Sequence, residues 1–287
     1  MAMTAAARTD RKALHLDGFR LEVRQVGPAP AAAPTLVLLH EALGCVGLWR
    51  DLPERLVAAT GFGVHAYSRR GHGHSDPEIL PRPLTYLVRE AEEVLPRVLD
   101  RIGFRRGLLI GHSDGATIAA LYAVRRNDPR VRGLVLIAPH VFVEERTLAG
   151  IGRAREAFFE GDLRRRLRRW HGANVDALFS AWADTWLAAE FRGFDMRAEL
   201  SRIHVPVLAV QSEHDPYGTL AQIEAIRQAA TGPVETLILS GASHAPHIDA
   251  ADETVAAIAA FARRCLPPEN DSGAAASCSR QPSNPRE

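Results

Sequence analysis

A short stretch near the middle of the chain, LLIGHSDGAT at residues 108–117, limits the fold more than any other. Its apolar run ends abruptly at Gly-His-Ser-Asp-Gly, and small, helix-compatible residues follow at once. A serine between two glycines at the end of a strand is typical of a sharp strand–turn–helix connection, because the glycines avoid clashes with the neighbouring strand and helix. The pattern predicts that Ser113 takes a strained backbone conformation and acts as a nucleophile. The alternative is a turn whose serine caps the helix.

Apolar runs of strand length alternate with helix-like segments on both sides of this turn. A hairpin is predicted over residues 14–26, with its turn at Asp17-Gly18. Further strands are predicted at residues 35–39, 64–67, 107–110, 133–138, 205–210 and 234–239, and helices at 49–60, 84–101, 115–124, 218–229 and 253–264. Continuous apolar strands separated by helices indicate an α/β fold, with a mostly parallel central sheet flanked by helices.

One segment interrupts the alternation, because residues 141–203 have a helical pattern throughout. We expect a discontinuous core of residues 1–140 and 204–266, with residues 141–203 inserted between two strands as a helical cap. The segment 267–287 is rich in Pro, Ser and Asn and has no large apolar side chain, which predicts disorder.

The composition excludes several classes of function. Of the 287 residues, 46% are hydrophobic and 24% are charged, and the net charge of +1 gives no bulk attraction to nucleic acid or to an anionic membrane. The three cysteines, Cys45, Cys265 and Cys278, lack the spacing of a disulfide framework or a zinc site, which favours a reducing cytosol.

The same composition gives expectations about location and partners. No N-terminal segment resembles a signal peptide, and no apolar run approaches the roughly 20 residues that a membrane span needs. We therefore expect a cytoplasmic protein that acts on a small molecule, needs no cofactor or metal, and has a homodimer as one candidate assembly.

An acid and a histidine follow the last two predicted strands. Asp215 lies in QSEHDP and His244 lies in GASHAPH, each directly after its strand. Because the carboxyl ends of parallel strands meet at one edge of a sheet, both side chains should lie near Ser113. A serine nucleophile needs a base, and the base needs an orienting carboxylate, in the chain order serine, acid, histidine. Glu213 is the alternative acid and His247 the alternative base.

With these motifs the chain resembles the α/β-hydrolase superfamily over roughly residues 14–265, in the serine-nucleophile branch with a helical cap. HEALG at residues 40–44 is similar to the family's oxyanion loop. The resemblance implies that the backbone N–H groups of Ala42 and Asp114 form an oxyanion hole. Glu41 stands where the family commonly has glycine, and we expect its side chain to face solvent or to pair with an arginine.

A second motif, YSRRGHGHS at residues 67–75, resembles a largely structural turn of the same superfamily, with Ser68 where aspartate is common. Superfamily members with an aspartate nucleophile, such as dehalogenases and epoxide hydrolases, carry it at the position of Ser113. Asp114 comes one residue later and should face away. The resemblance therefore disfavours those two chemistries and leaves acyl chemistry.

The predicted cap holds most of the large aromatic side chains, and the candidate substrate-pocket residues are His140, Trp182 and Trp186. For the tryptophans the alternative role is packing of the cap onto the core, and for His140 it is a place in a turn.

The most basic run of the chain, Arg164 to Arg169, also lies in the cap. Leucines share one face of its predicted helix, so the arginines spread over the others. We expect a solvated face paired with Glu156 and Glu160, and the alternative is an anchor for an anionic substrate.

Taken together, these features predict a carboxylesterase-type serine hydrolase that cleaves an ester or related acyl bond of a small, largely apolar or aromatic substrate through an acyl-enzyme. The alternatives are a C–C bond hydrolase of aromatic ring-cleavage products, an acyl-CoA thioesterase, and a non-catalytic ligand-binding protein on the same fold.

Overall fold

One sheet runs through the centre of the protein in a computed structural model that describes residues 12–268. Its strands are β1 (Lys12–Leu16), β2 (Phe19–Val26), β3 (Thr35–Leu39), β4 (Gly63–Tyr67), β5 (Gly107–His112), β6 (Val131–Ile137), β7 (Val207–Ser212) and β8 (Val234–Leu239). They lie in the order β1-β2-β4-β3-β5-β6-β7-β8. The pairs β1–β2 and β2–β4 are antiparallel, and every other pair in the sheet is parallel. The predicted α/β architecture is confirmed.

Helices connect the strands. They are α1 (Leu52–Thr60), α2 (Tyr86–Arg89), α3 (Leu95–Arg101), α4 (Asp114–Arg126), α5 (Glu145–Phe159), α6 (Leu163–His171), α7 (Val175–Leu187), α8 (Ala221–Ala229), α9 (Pro246–Asp249) and α10 (Ala251–Cys265). A π-helical turn, Glu90–Val94, joins α2 to α3, and short 3₁₀ helices lie at Val46–Trp49, Gly172–Asn174, Ala189–Gly193 and Arg197–Arg202. The sequence pattern missed the one-turn helix α9, which is too short to show a helical period.

Side chains of the central strands alternate between two apolar cores, one on each face of the sheet. On β3, Val37 and Leu39 belong to the core beneath α2, α3 and α4, whereas Leu36 and Leu38 belong to the core beneath α1 and α10. Every residue of β3 and β5 is buried. These strands therefore read as continuous apolar runs rather than alternating ones.

The chain between β6 and β7 is helical and contains α5, α6 and α7, where the sequence predicts an insertion. A single β-bridge, between Phe142 and Asp195, brings the two ends of this segment together. At its start, the side chain of Gln222 on α8 accepts a hydrogen bond from the Val141 N–H at 2.8 Å. Further along, the Trp186 indole N–H donates to the Tyr86 hydroxyl at 2.8 Å and so joins α7 to α2.

Some sequence expectations concern residues beyond the described range. Cys278 and all but the first two residues of the tail predicted from Pro267 lie outside it. Cys45 and Cys265 carry free thiols. No helix within residues 12–268 combines the length and the apolar character that crossing a membrane requires.

Close packing of α4 against β3 depends on Gly115, where a Cβ atom would overlap the carbonyl group of Leu39. We expect Gly115→Ala to lower the free energy of unfolding by about 2–4 kcal/mol, because backbone has to move to admit the methyl group. Gly152→Ala on α5 is the control: a Cβ there meets no atom within 4 Å, and alanine is the better helix former. Urea unfolding of both variants measures the difference, and similar free energies for the two would contradict this account of the packing.

Candidate active site

Ser113 lies on the sharp turn between β5 and α4. Its φ of 53° and ψ of −118° belong to a region that residues with a side chain rarely adopt. The turn is fixed by backbone hydrogen bonds, since the Ser113 N–H donates to the Ile137 carbonyl at 2.8 Å and the Ser113 carbonyl accepts from Ala116 and Thr117. The hydroxyl makes no capping hydrogen bond to α4. The helix-cap alternative for this serine therefore does not describe the structure.

Asp215 and His244 follow β7 and β8, and their side chains meet. The His244 Nδ1 atom lies 2.9 and 2.8 Å from the two carboxylate oxygens of Asp215. Burial alone would raise the pKa of Asp215, but the hydrogen bond and charge of His244 and the N–H of Tyr217 hold that pKa below its ordinary value. The carboxylate is therefore ionised near neutral pH and fixes the orientation of the imidazole.

The alternative acid and base lie elsewhere. Glu213 is exposed at the start of the loop after β7. His247 is buried on α9, with its ring centre 4.8 Å from that of His112 and 4.9 Å from that of Trp49. Burial lowers the pKa of His247 from 6.5 to about 3, so this imidazole is neutral.

Ser113 and His244 open into one cavity of about 420 Å³, counted with its open mouth. The other residues that line it are Glu41, Ala42, Leu43, Asp114, His140, Thr147, Ile151, Trp182, Trp186 and Tyr217. The predicted pocket residues thus all lie at this cavity. The sequence did not single out Thr147 and Ile151, because helical periodicity does not tell which face of α5 meets the core.

His140 lies at the wall of the cavity next to His244, with 5.9 Å between the two ring centres. Its Nδ1 atom is buried and has no hydrogen-bond partner among the residues that the structure describes. Burial lowers its pKa from 6.5 to about 3. The wall of the cavity therefore includes a neutral imidazole.

Ala42 and Asp114 line the same cavity as Ser113. Neither backbone N–H forms a hydrogen bond to another residue of the described chain. The buried carboxylate of Asp114 accepts a hydrogen bond from the Tyr86 hydroxyl at 2.6 Å and lies 3.8 Å from the Arg69 guanidinium. This side chain is thus engaged by the protein interior.

Glu41 pairs with a histidine, so both expectations for this residue are wrong. Only 24% of its side chain is exposed, and its Oε2 atom lies 3.3 Å from Nδ1 of His112. The other ring nitrogen of His112, Nε2, lies 2.7 Å from the backbone carbonyl of His244. Because both nitrogens of His112 lie near oxygen acceptors, the site favours the doubly protonated, positively charged form of the ring. Arg69 contacts only the backbone carbonyl of Glu41.

Each member of this pair stabilises the charged form of the other. Burial alone would raise the pKa of Glu41, but the hydrogen bond and charge of His112 lower it from 4.5 to about 2. Burial alone would lower the pKa of His112, but Glu41 raises it above its ordinary value. No local sequence pattern predicts this pair, because its members are 71 positions apart.

The Glu41–His112 pair should make the fold sensitive to acid. Since folding lowers the pKa of Glu41 from 4.5 to about 2, its contribution to stability is present above pH 4.5 and is lost as the pH falls towards 2. We expect Glu41→Gln to lower the free energy of unfolding by about 1–3 kcal/mol near pH 6 and by less than half as much near pH 3. Urea unfolding at both pH values measures this, and an equal loss at the two would contradict it.

The basic run of the sequence forms the exposed surface of α6. Arg164 pairs with Asp176 at 2.6 Å, and Arg165 and Arg166 pair with Asp162 at 3.4 and 3.3 Å. These aspartates, rather than the glutamates near the end of α5, are their partners. None of the arginines lines the cavity that contains Ser113.

Fold and site together define an α/β protein with a serine on a strained strand–helix turn. Residues 34–199, more than half of the chain, match the family described as alpha/beta hydrolase fold. The chain therefore belongs to the alpha/beta hydrolase fold family, as the motifs of the sequence indicate.

Curated proteins and solved structures similar to this chain agree with that assignment. The chain is 27% identical over 260 residues to a pimeloyl-[acyl-carrier protein] methyl ester esterase of Stenotrophomonas maltophilia, which covers 79% of this chain and 92% of that protein. It is 26% identical over 133 residues to epoxide hydrolase 2 of Siraitia grosvenorii, but the match spans only 40% of that relative's length and 46% of this chain. The enol-lactonase from Burkholderia xenovorans LB400 shares the fold with a TM-score of 0.68 and 22% identity, over 87% of this chain and 99% of that one.

Proposed function

We propose that the protein is a serine hydrolase that cleaves a carboxylic ester of a small, largely apolar or aromatic substrate through an acyl-enzyme. One observation carries the proposal: the strained Ser113 shares a cavity with His244, whose Nδ1 contacts the buried carboxylate of Asp215 at 2.8 Å. The similarity to a methyl ester esterase over most of both chains supports an ester as the substrate.

The proposed reaction uses the Ser113 hydroxyl and the ring nitrogen of His244 that does not contact Asp215. Because Asp215 engages Nδ1 of His244, the other ring nitrogen is left to accept the proton of the Ser113 hydroxyl as its oxygen attacks the acyl carbon. The imidazolium then protonates the leaving alcohol, and Asp215 stabilises the positive charge. A water molecule, activated by the same imidazole, hydrolyses the acyl-enzyme and restores Ser113.

The N–H groups of Ala42 and Asp114 would stabilise the negative charge that develops on the acyl oxygen. Such a donor contributes about 3–4 kcal/mol to the transition state in well-studied hydrolases. The helical segment 141–203 acts in this proposal as a cap, because Trp182 and Trp186 bring an apolar wall to the cavity.

One relative is an epoxide hydrolase. The aspartate nucleophile of such enzymes has no counterpart at the strand–helix turn of this chain. The turn carries Ser113, and the neighbouring Asp114 carboxylate is bound by Tyr86 and lies beside Arg69. Ester hydrolysis through Ser113 uses the groups that the cavity presents.

Two measurements test the proposal. A fluorophosphonate probe should label the protein at Ser113, identified by mass spectrometry of the labelled peptide. Short p-nitrophenyl esters should be hydrolysed faster than acyl-CoA thioesters or ring-cleavage dienones. Preference for a thioester or a dienone would assign the site to a different acyl or C–C bond, and absence of both label and turnover would indicate a binding protein.

A further inference from the structure

The cavity contains a carboxylate that the proposed reaction does not use. Glu41 lies in the oxyanion loop and lines the cavity together with Ser113 and His244. Its Oε2 atom lies 3.3 Å from Nδ1 of His112, and the backbone N–H of Glu41 also contributes a hydrogen bond to the carboxylate. The structure makes room for this group at Gly44, where a Cβ atom would overlap the carboxylate.

The two members of the Glu41–His112 pair lie at different depths from the cavity. The His112 side chain is 2% exposed and does not line the cavity, whereas the Glu41 side chain is 24% exposed and does. The negative end of the pair therefore faces the substrate, and the positive end is buried behind it. Because the cavity has largely apolar walls, a charge at this place acts on a bound ligand more strongly than it would in bulk water.

Apart from His112 behind it, no cationic side chain of the described residues lines the cavity beside this carboxylate. None of the residues that line the cavity is a lysine or an arginine. His140 is neutral because burial lowers its pKa to about 3. Arg69 is engaged by backbone carbonyls of the oxyanion loop and lies beside Asp114, and Arg146 donates to the backbone carbonyl of Asp215. A ligand with a carboxylate would find no cationic partner here.

We propose that Glu41 is a specificity-determining residue that favours esters with a cationic group next to the scissile bond and disfavours esters with a carboxylate there. The inference rests on the proposed function and names its substrate class. It also disfavours dicarboxylate ring-cleavage products, since their charges would lie against Glu41.

Matched esters test this selection, because they differ in charge and little in shape. One series carries the charge on the alcohol: the acetates of choline, of its neutral carbon isostere 3,3-dimethylbutanol, and of 3-hydroxypropanoate. A second series carries it on the acyl group: the phenyl esters of 4-(trimethylammonio)butanoate, 5,5-dimethylhexanoate and glutarate. In at least one series, we expect kcat/KM for the cationic ester to exceed that for the anionic ester by about tenfold or more. Equal values, or a preference for the anionic ester in both series, would overturn the inference.

Two variants test whether Glu41 causes the preference between cationic and anionic esters. Glu41→Gln should reduce the cationic-to-anionic ratio at least about fivefold, with the neutral ester as the reference. Glu253→Gln, which removes an exposed carboxylate from α10, is the control and should change the ratio by less than about twofold. A ratio that is unchanged in Glu41→Gln would assign the preference to another group and overturn the inference.

The test separates this inference from the proposed function. Turnover of the neutral esters reports on the function, and the ratio of the charged ones reports on Glu41. Binding of the same esters to Ser113→Ala, measured by calorimetry, gives the charge preference without turnover. If the neutral esters are not hydrolysed but the cationic ones bind more tightly than the anionic ones, the function fails and the charge selection stands.

Discussion

Replacing Ser113 with alanine will lower kcat for ester hydrolysis by about 10⁴-fold or more, because the acyl-enzyme cannot form without the hydroxyl. Stability should change little, since this hydroxyl caps no helix and alanine can occupy the same turn with a similar backbone cost. Steady-state kinetics with a p-nitrophenyl ester, together with urea unfolding, measure the two effects.

The control for this variant is Ser180→Ala, which removes an exposed hydroxyl from α7 and should leave kcat within about twofold of the unmodified protein. If Ser113→Ala retains more than about one per cent of the activity, the nucleophile has been assigned to the wrong residue.

Replacing Asp215 with asparagine will lower kcat by about 10⁴-fold while preserving the shape of the site. The amide cannot stabilise the imidazolium, and its NH₂ group can force the other tautomer of His244, which leaves the wrong nitrogen toward Ser113. The side-chain oxygen can still accept the hydrogen bond of the Tyr217 N–H, now 2.8 Å away, whereas the Gln211 amide, which now donates to the other carboxylate oxygen at 3.0 Å, loses its acceptor. The measurement is kcat with the same ester as a function of pH.

Glu213→Gln is the matched control, because Glu213 precedes Asp215 by two positions and is exposed. Its kcat should stay within about twofold of the unmodified protein. A larger loss in Glu213→Gln than in Asp215→Asn would show that the other carboxylate orients the histidine.

The sequence predicts the proposed catalytic groups because each comes shortly after a segment with the pattern of a strand. In a parallel sheet the ends of β5, β7 and β8 share one edge, so Ser113, Asp215 and His244 come near each other without any knowledge of loop conformation. The glycines around Ser113 also indicate the strained turn before the structure shows it. The fold and these positions therefore follow from local pattern and chain order.

The Glu41–His112 pair could not be predicted in the same way. It forms because β3 and β5 are neighbours in the sheet, so that the loop after one strand meets the end of the other. Nothing in the local sequence states that order, and the choice of histidine over arginine as partner depends on side-chain direction. Likewise, the role of Thr147 and Ile151 at the cavity depends on how α5 is rotated about its axis, which hydrophobic periodicity leaves open.

The strand before the proposed nucleophile has two neighbours in the sheet, whereas the strand before the proposed base has one. β5, which ends at His112 before Ser113, is paired on both sides and buried throughout. β8, which precedes the loop of His244, is the last strand of the sheet and is paired only with β7, and several of its side chains are exposed. Because fraying begins where strands have a single neighbour, we expect the loop of His244 to open at a lower free-energy cost than the turn of Ser113. Loss of function on mild heating can therefore begin at one margin of the molecule, well before the interior melts.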